Sequence, residues 1–363
     1  MSEVSNASGQ KKRPLMALVS GVGALILGYL LLWPVPFDPV AGPARDASPA
    51  GTGIYAKNNA LAAAQLVDVG HGPEGIAFDS AGRLYTGLQN GDILRQLADG
   101  SFKVLVNTGG RPLGLNFDAK GNLVIADAIK GLISMAPDGT LSTLATDFDG
   151  KRMLFVDDLA IASDGLIYFS DASARYEYGG DMLELFERRP SGRLLVYDPK
   201  TQQLKLLLDN LYFANGVALS ADEDFVLVNE TYDHRIMRYW LKGPKAGTAD
   251  VFADNLPGYI DNITEGPDGS FWLAVVAART DVLDNLVAAP FSRKIIYRLM
   301  QATNINPAGK HSYAVKLSPD GEPLASLEDD SGHIYMMTSV LQEGDKLYLG
   351  SLLMDSFGII EAP

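Results

Sequence analysis

One motif returns along this chain with its spacing intact. A strand opening, a turn and a second strand appear as "PEGIAFDSAGRLYTGL" from Pro73, "PLGLNFDAKGNLVIAD" from Pro112 and "VDDLAIASDGLIYFSD" from Val156. They return as "ANGVALSADEDFVLVN" from Ala214, "IDNITEGPDGSFWLAV" from Ile260 and, more worn, "MTSVLQEGDKLYLGSL" from Met337. Most copies continue into a third strand, such as "GDILRQLADG", "GLISMAPDG", "GRLLVYDPKT" or "HRIMRYWLKG". A repeat of about 40 residues made of short strands cannot bury both faces alone, so its copies must pack radially. Six copies predict an all-β, six-bladed β-propeller over residues 60–363. No strand–helix–strand alternation supports a Rossmann-like sheet; a β-sandwich with coincidental turns is the alternative.

In a propeller the first strand of each blade lines the central channel, so equivalent residues form a ring at one height. The second residue of each opening is Glu74, Leu113, Asp157, Asn215, Asp261 or Thr338. Four of these six carry oxygen donors, and three facing carboxylates repel unless a cation joins them. Oxygen-only donors suit calcium; zinc would call for His or Cys, and magnesium for stricter geometry. The expected ligands are Glu74, Asp157, Asn215 and Asp261, with Asn262 as a further ligand. Asp158 is expected to support the first shell or add an oxygen. Taken singly, each acid or amide is as well explained by a preference for turns and strand ends.

The N-terminus reads differently. After Lys11-Lys12-Arg13, residues 14–33 ("PLMALVSGVGALILGYLLLW") are 20 residues without a charge. At about 1.5 Å per residue they would reach across a bilayer core of roughly 30 Å. The basic triplet predicts a cytoplasmic tail, residues 1–13, and a single-pass membrane anchor. The propeller is then expected on the periplasmic, extracellular or luminal side. A cleaved signal peptide usually has only about 7–15 apolar residues. Residues 34–59 begin rich in Pro, Ala and Gly, the composition of a linker. A net charge of −14 argues against a nucleic-acid partner, and the absence of Cys removes disulfides and thiolate metal sites.

The stretches "GPEGIAFD", "GRPLGLNFD", "FVDDLAIASDGLIYFSD", "GRLLVYDPKT", "FANGVALS", "LPGYIDNI" and "LYLGSL" resemble the strictosidine synthase-like family over roughly residues 60–360. The likeness is greatest to its adipocyte plasma membrane-associated protein branch, within the wider SMP-30/gluconolactonase/paraoxonase superfamily. The resemblance implies an N-terminal anchor before a six-bladed propeller. It also implies a calcium ion held by Glu74, Asp157, Asn215 and Asp261, with Asp157 standing where Asn is usual. Paraoxonases bind calcium through an Asp–Asn pair in the fifth blade, which Asp261 and Asn262 match. Two positions depart from the relatives. Thr338 stands where plant strictosidine synthase has its catalytic Glu, and Leu113 where paraoxonases have a His.

The expected chemistry is hydrolysis of an ester or lactone, arylesterase-like or lactonase-like. Calcium would polarise the carbonyl, and Asp261 would activate water or attack directly. No G-x-S-x-G or H-E-x-x-H competes, and His71, His234, His311 and His333 are scattered. "DFDG" (147–150) lacks the spacing of an EF-hand and reads as a turn. Two inserts, 171–192 and 278–300, are long enough to cover the channel, and Tyr176, Tyr178 and Phe186 of the first suit an apolar pocket. The second reads equally as a helix packed on the propeller face with a dimer or bilayer contact. The alternative functions are a non-catalytic, calcium-stabilised propeller that binds a ligand or partner, and a condensing enzyme resembling strictosidine synthase.

Overall fold

A computed structural model describes residues 12–43, 45–303 and 309–363. Six four-stranded antiparallel sheets surround one axis. Blade 1 runs from Ile76 to Asn107, blade 2 from Pro112 to Ala145, blade 3 from Val156 to Leu211, blade 4 from Ala214 to Ala253 and blade 5 from Gly258 to Asp329. Blade 6 takes three strands from the C-terminus, Met337–Glu343, Lys346–Ser351 and Ser356–Glu361. Its fourth strand, Gln65–Asp68, comes from before the first repeat and pairs antiparallel with Ser356–Ile359. Joining first and last segments in one sheet locks the ring closed. Each inner strand touches the next one round, and the sixth touches the first.

Apolar faces of neighbouring blades make the core. Val124, Ala126 and Leu132 of blade 2 pack on Leu159, Phe169 and Leu195 of blade 3, and Phe225 and Leu227 of blade 4 on Phe271 and Leu273 of blade 5. Each such side chain contributes about 1.5–3 kcal/mol when removed from water. The inner strands approach so closely that a Cβ on Gly216 would lie 2.5 Å from the Ile263 nitrogen, and one on Gly114 would lie 2.5 Å from Asp158 Oδ1. Glycine is required at both positions by this contact.

Irregular pairing places side chains on the axis. The ladder shifts register between Pro112 and Leu115, Val156 and Leu159, Ala214 and Val217, Ile260 and Ile263, and Met337 and Ser339. Those gaps contain Leu113, Asp157, Asn215, Asp261 and Thr338, the ring positions read from the repeat. A bulge releases residues from strict alternation, so two successive side chains can turn inward. Backbone groups freed there find other partners: Ser339 Oγ donates to the Glu74 carbonyl at 2.6 Å, Thr86 Oγ1 to the Gly75 carbonyl at 2.8 Å, and Asn229 Nδ2 to the Asp261 carbonyl.

The expected anchor is a helix, α1, Lys12–Leu32. Among the described residues no helix is long and apolar enough to cross a membrane, so the crossing read over 14–33 is not carried by them. The segment expected to be a linker is a packed strap. Val40 N donates to the Glu187 carbonyl at 2.9 Å, Gly42 N to that of Val287 at 3.2 Å, and Arg45 pairs with Asp233. Tyr55 is buried in the core between blades 4 and 5. Composition suggested a tether because these contacts join the strap to residues distant in sequence, which composition does not record. "DFDG" is a turn joining two-residue strands, with Asp149 and Gly150 in the left-handed region.

Both inserts form helices: α2, Asp181–Glu187, from the first, and α3, Asp281–Leu286, and α4, Pro290–Thr303, from the second. Arg293 of α4 donates to the Phe186 carbonyl at 2.8 Å. Arg298 of α4 donates to the carbonyls of Leu30 and Trp33, both at 2.6 Å, so strap, α1 and inserts form one packed cap.

Candidate metal centre

Glu74, Asp157 and Asp261 converge on the axis from blades 1, 3 and 5. Each offers a carboxylate oxygen, and these oxygens lie within 4.8 Å of one another. All three residues are buried, as are Asn215 and Asn262 (both 4% exposed). Oδ1 of Asp157, Asn215, Asp261 and Asn262 has no hydrogen-bond partner. Four buried oxygens without donors cost about 1–3 kcal/mol each, and more where charged. A hard cation repairs that deficit, and oxygen donors of this number and charge fit calcium. The donor set expected from the repeat therefore fits the ion.

Electrostatics point the same way. Burial pushes the Asp157 carboxyl well above its ordinary value, and the charges of Asp261 and Glu74 push it further. Burial also raises Asp261, with Glu74 and Asp158 adding to it, while a hydrogen bond from Asn215 opposes. Burial raises Glu74 too, against the Arg111 cation. Mutual repulsion of this kind is relieved by a shared positive charge.

Asp158 is not with the three. Its Oδ2 accepts from Val217 N at 2.9 Å, across the blade boundary and two residues beyond Asn215. It thus ties blade 3 to blade 4 beside the Asn215 amide. Burial moves its carboxyl up to about 7. Asp158 and Asn262 also line a channel cavity of about 330 Å³ on the side of the ring that contains Ile76, Leu115 and Val217. Thr338 Oγ1 donates to the Glu74 carbonyl at 3.3 Å and so helps to hold the ring closed. His71 is at the surface, its Nδ1 2.8 Å from Asp355 Oδ1.

The ring reading missed Arg111. It is fully buried, with Nη2 on Glu74 Oε2 at 2.5 Å and Nη1 donating to the Gly72 carbonyl at 2.8 Å. Its loop is built on Asp127, whose Oδ1 accepts from the backbone N–H groups of Arg111, Ile129 and Lys130 at 2.9 Å each. The same repeat alignment holds the signal. Two residues before each ring position stand Gly72, Arg111, Phe155, Phe213, Tyr259 and Met336.

That second row is an aromatic collar. Phe155 and Phe213 meet edge to face at 5.2 Å between ring centres, Phe213 meets Tyr232 at 4.8 Å, and Leu113 joins the same cluster. From the first insert, Tyr178 packs on Phe155 at 5.6 Å and Leu185 joins it, while Tyr232 Oη donates to the Asp181 carbonyl at 2.9 Å. Of the three aromatic residues expected to wall a pocket, Tyr178 packs against this cluster. Tyr176 instead donates to Glu187 at 2.5 Å, and Phe186 packs with Phe37 and Tyr297 in the cap. The second insert lies over the first, its α4 against α2.

Comparison with known proteins gives a consistent picture. The strictosidine synthase family model matches residues 157–244, and the model for the N-terminal part of strictosidine synthase-like proteins matches 53–96. Strictosidine synthase-like protein 13 of Arabidopsis thaliana is 35% identical over 333 residues, covering 82% of this chain and 80% of its own. The adipocyte plasma membrane-associated protein of Bos taurus is 35% identical over 352 residues, covering 90% and 85%. Among solved structures, a gluconolactonase from Xanthomonas campestris superposes with a TM-score of 0.61 at 19% identity, over 89% of this chain and 99% of that one. A calcium-binding protein, regucalcin, from Agrobacterium tumefaciens does so with 0.53 at 15% identity, over 81% and 94%. At these identities the superpositions show a shared fold.

Proposed function

The chain belongs to the strictosidine synthase-like family, and on that premise we propose that it is a calcium-dependent hydrolase of esters or lactones. The observation that carries this reading is the set of orphaned oxygens on Asp157, Asn215, Asp261 and Asn262 beside Glu74. Glu74, Asp157, Asn215, Asp261 and Asn262 would hold the ion. Calcium bound there supplies Lewis-acid polarisation of a carbonyl oxygen.

The chain's own residues supply the rest. The channel cavity beside the ring, lined by Ile76, Leu115, Val217 and Ile263 with Asp158 and Asn262, would take an acyl or aryl group, and the packed cluster of Phe155, Phe213 and Tyr232 limits water on the other side. Asp261 takes the proton of the attacking water or attacks the carbonyl itself. Leu113 leaves no imidazole in the second blade, and Thr338 no carboxylate in the sixth. A condensation that needs a base at Thr338 is disfavoured on this chemistry.

Membrane attachment through α1 is part of the same proposal, with the N-terminal side cytoplasmic and the propeller on the far side. Its support is the apolar side chains that the fold leaves open, including Leu25 at 76% and Leu32 at 82% exposure. Release of the full chain from membranes by alkaline carbonate would overturn it.

The hydrolase reading is tested with the full chain, because strap and cap are packed on the propeller. Aryl esters and lactones are offered with calcium, with chelator, and to the Asp261→Ala variant. Turnover that needs both calcium and Asp261 supports the proposal. If calcium raises the melting temperature and no substrate is cleaved, the ring is structural and the protein is a binding propeller.

A further inference from the structure

Three carboxylates and one guanidinium meet at the centre of this molecule. Glu74, Asp157 and Asp261 share a space in which one oxygen of each lies within 4.8 Å of the others. Among the described residues this is the only such group of potential metal ligands. Arg111 is the cation in contact with it, through Glu74. The Arg111 side chain has no exposure to solvent, so water does not screen its charge. Asp158, the next acid in sequence, is turned to Val217 N and belongs to the other side of the ring.

The charges sum simply. Among the groups in contact, three carboxylates give −3 and Arg111 brings them to −2, which a divalent cation balances; Asp158, whose charge also reaches Asp157 and Asp261, stands apart on Val217 N. Without Arg111 the same oxygens balance a trivalent cation. Guanidinium is suited to the task because it stays protonated in any protein environment, so the correction is permanent. The loop is built to keep it there. Asp127 fixes the Arg111 backbone, the Gly72 carbonyl accepts from Nη1, and a Cβ on Gly72, which sits at a φ of +69°, would crowd Nη2 at 3.3 Å.

We propose that Arg111 is the fixed counter-charge that sets the valence of the axial ion, making the site one for divalent cations. The proposal rests on the metal reading above and adds to it the residue that selects the ion. Arg111 is a positioning and selectivity residue, since its guanidinium meets Glu74 and not the ion.

The test is binding, read by the shift in melting temperature of the full chain titrated with calcium and, separately, with lanthanum. The parent chain sets the ratio of the two apparent affinities. In Arg111→Gln the ratio is expected to move toward lanthanum by tenfold or more. Arg111→Lys, which retains the charge, is expected to stay near the parent. Arg111→Gln combined with Asp157→Asn, which restores a net −2, is expected to return the ratio toward the parent value. An unchanged ratio in Arg111→Gln, with both ions still bound, overturns the proposal and leaves the metal reading intact. If neither ion shifts the parent chain, the metal reading itself fails, and this proposal with it. Should Arg111→Gln not fold, recovery of the fold in the double variant supports charge compensation. Failure of the double variant as well shows that Arg111 serves packing, and overturns the proposal.

Discussion

Asp157 and Asp171 belong to the same sheet, one bonded to a neighbour of the other. Val156 pairs with Asp171 across the first two strands of blade 3, and Asp157 follows Val156. Both acids are buried, at 2% and 0% exposure, and they differ in what meets their oxygens. Asp171 Oδ1 accepts from Phe155 N at 3.1 Å, and Oδ2 accepts from Arg193 Nε at 3.0 Å. Asp157 Oδ1 accepts from nothing. The pattern extends around the molecule. Asp127 takes three backbone N–H groups and the Thr108 hydroxyl, and Glu230 takes Tyr212 N and Arg235. Acids at the ends of second strands are staples that fix the segment leading into their own blade. Acids on the axis have other acids for neighbours. Burial of a carboxylate is thus no sign of function by itself; burial without donors is.

The same isosteric change should break the comparison most sharply at the staple. Asp171→Asn keeps the shape and removes the charge, leaving the largely buried Arg193, 12% side-chain exposed, without its partner. Removing one member of a buried pair costs about 3–5 kcal/mol. Urea unfolding of Asp171→Asn should show a loss of that size, with or without calcium. A loss under about 1 kcal/mol would mean that the staples are not what holds the loops, and the contrast with the axis would dissolve.

Calcium should produce the next largest effect. An ion that binds only the folded state at about 100 times its dissociation constant adds roughly 2.7 kcal/mol. The shift should depend on pH in a definite direction. Glu74, Asp157 and Asp261 are raised by burial and by one another, and Asp158 reaches about 7. Raised carboxyls favour the folded state when protonated. Their contribution to the calcium-free protein is therefore full below an ordinary carboxyl value of about 4 and is lost as pH rises through the raised values. Calcium needs the deprotonated oxygens, so its stabilisation runs the other way. The melting-temperature difference with and without calcium should widen between about pH 5 and pH 8. A difference that is flat or narrows over that range would show that the ion does not sit among these carboxylates.

Much of this contrast is legible in the sequence. The ring register was legible because the opening strands repeat, and equivalent positions in a closed ring must face one axis. Glu74, Asp157, Asn215 and Asp261 followed from that symmetry alone. What broke the symmetry was not legible. Gln65–Asp68 lies ahead of the first repeat, so nothing in the repeat marks it as the closing strand of blade 6. Arg111 occupies a position that holds Gly72 in blade 1 and Phe155 in blade 3, and a repeat argument averages such differences away. Reading the row two residues before the ring would have found it together with the collar. The strap at 34–43 and 45–59 was hidden for another reason. Its stability comes from Arg45, Arg279 and Arg293, which join it to residues far away in sequence, and local composition carries no trace of such pairings.

The smallest effect is the most diagnostic, because it should have the opposite sign. Asp157→Asn makes at the ring the change that Asp171→Asn makes at the staple. In the calcium-free protein it removes one of three repelling charges and leaves an amide whose oxygen is no worse placed than the carboxylate was. Stability should rise, by on the order of 1 kcal/mol, the ordinary scale of a single exchange. The calcium-induced shift in the same variant should shrink, since the ion then meets one charge fewer. Both are read from melting curves in chelator and in calcium at about pH 7.5, where the unfolded-state carboxyls are fully ionised. A calcium-free loss like that of Asp171→Asn would place Asp157 among the staples, its missing partner being a donor and not an ion. A gain without calcium and a reduced gain with it is the signature of a residue that the fold keeps at a cost for the ion it holds.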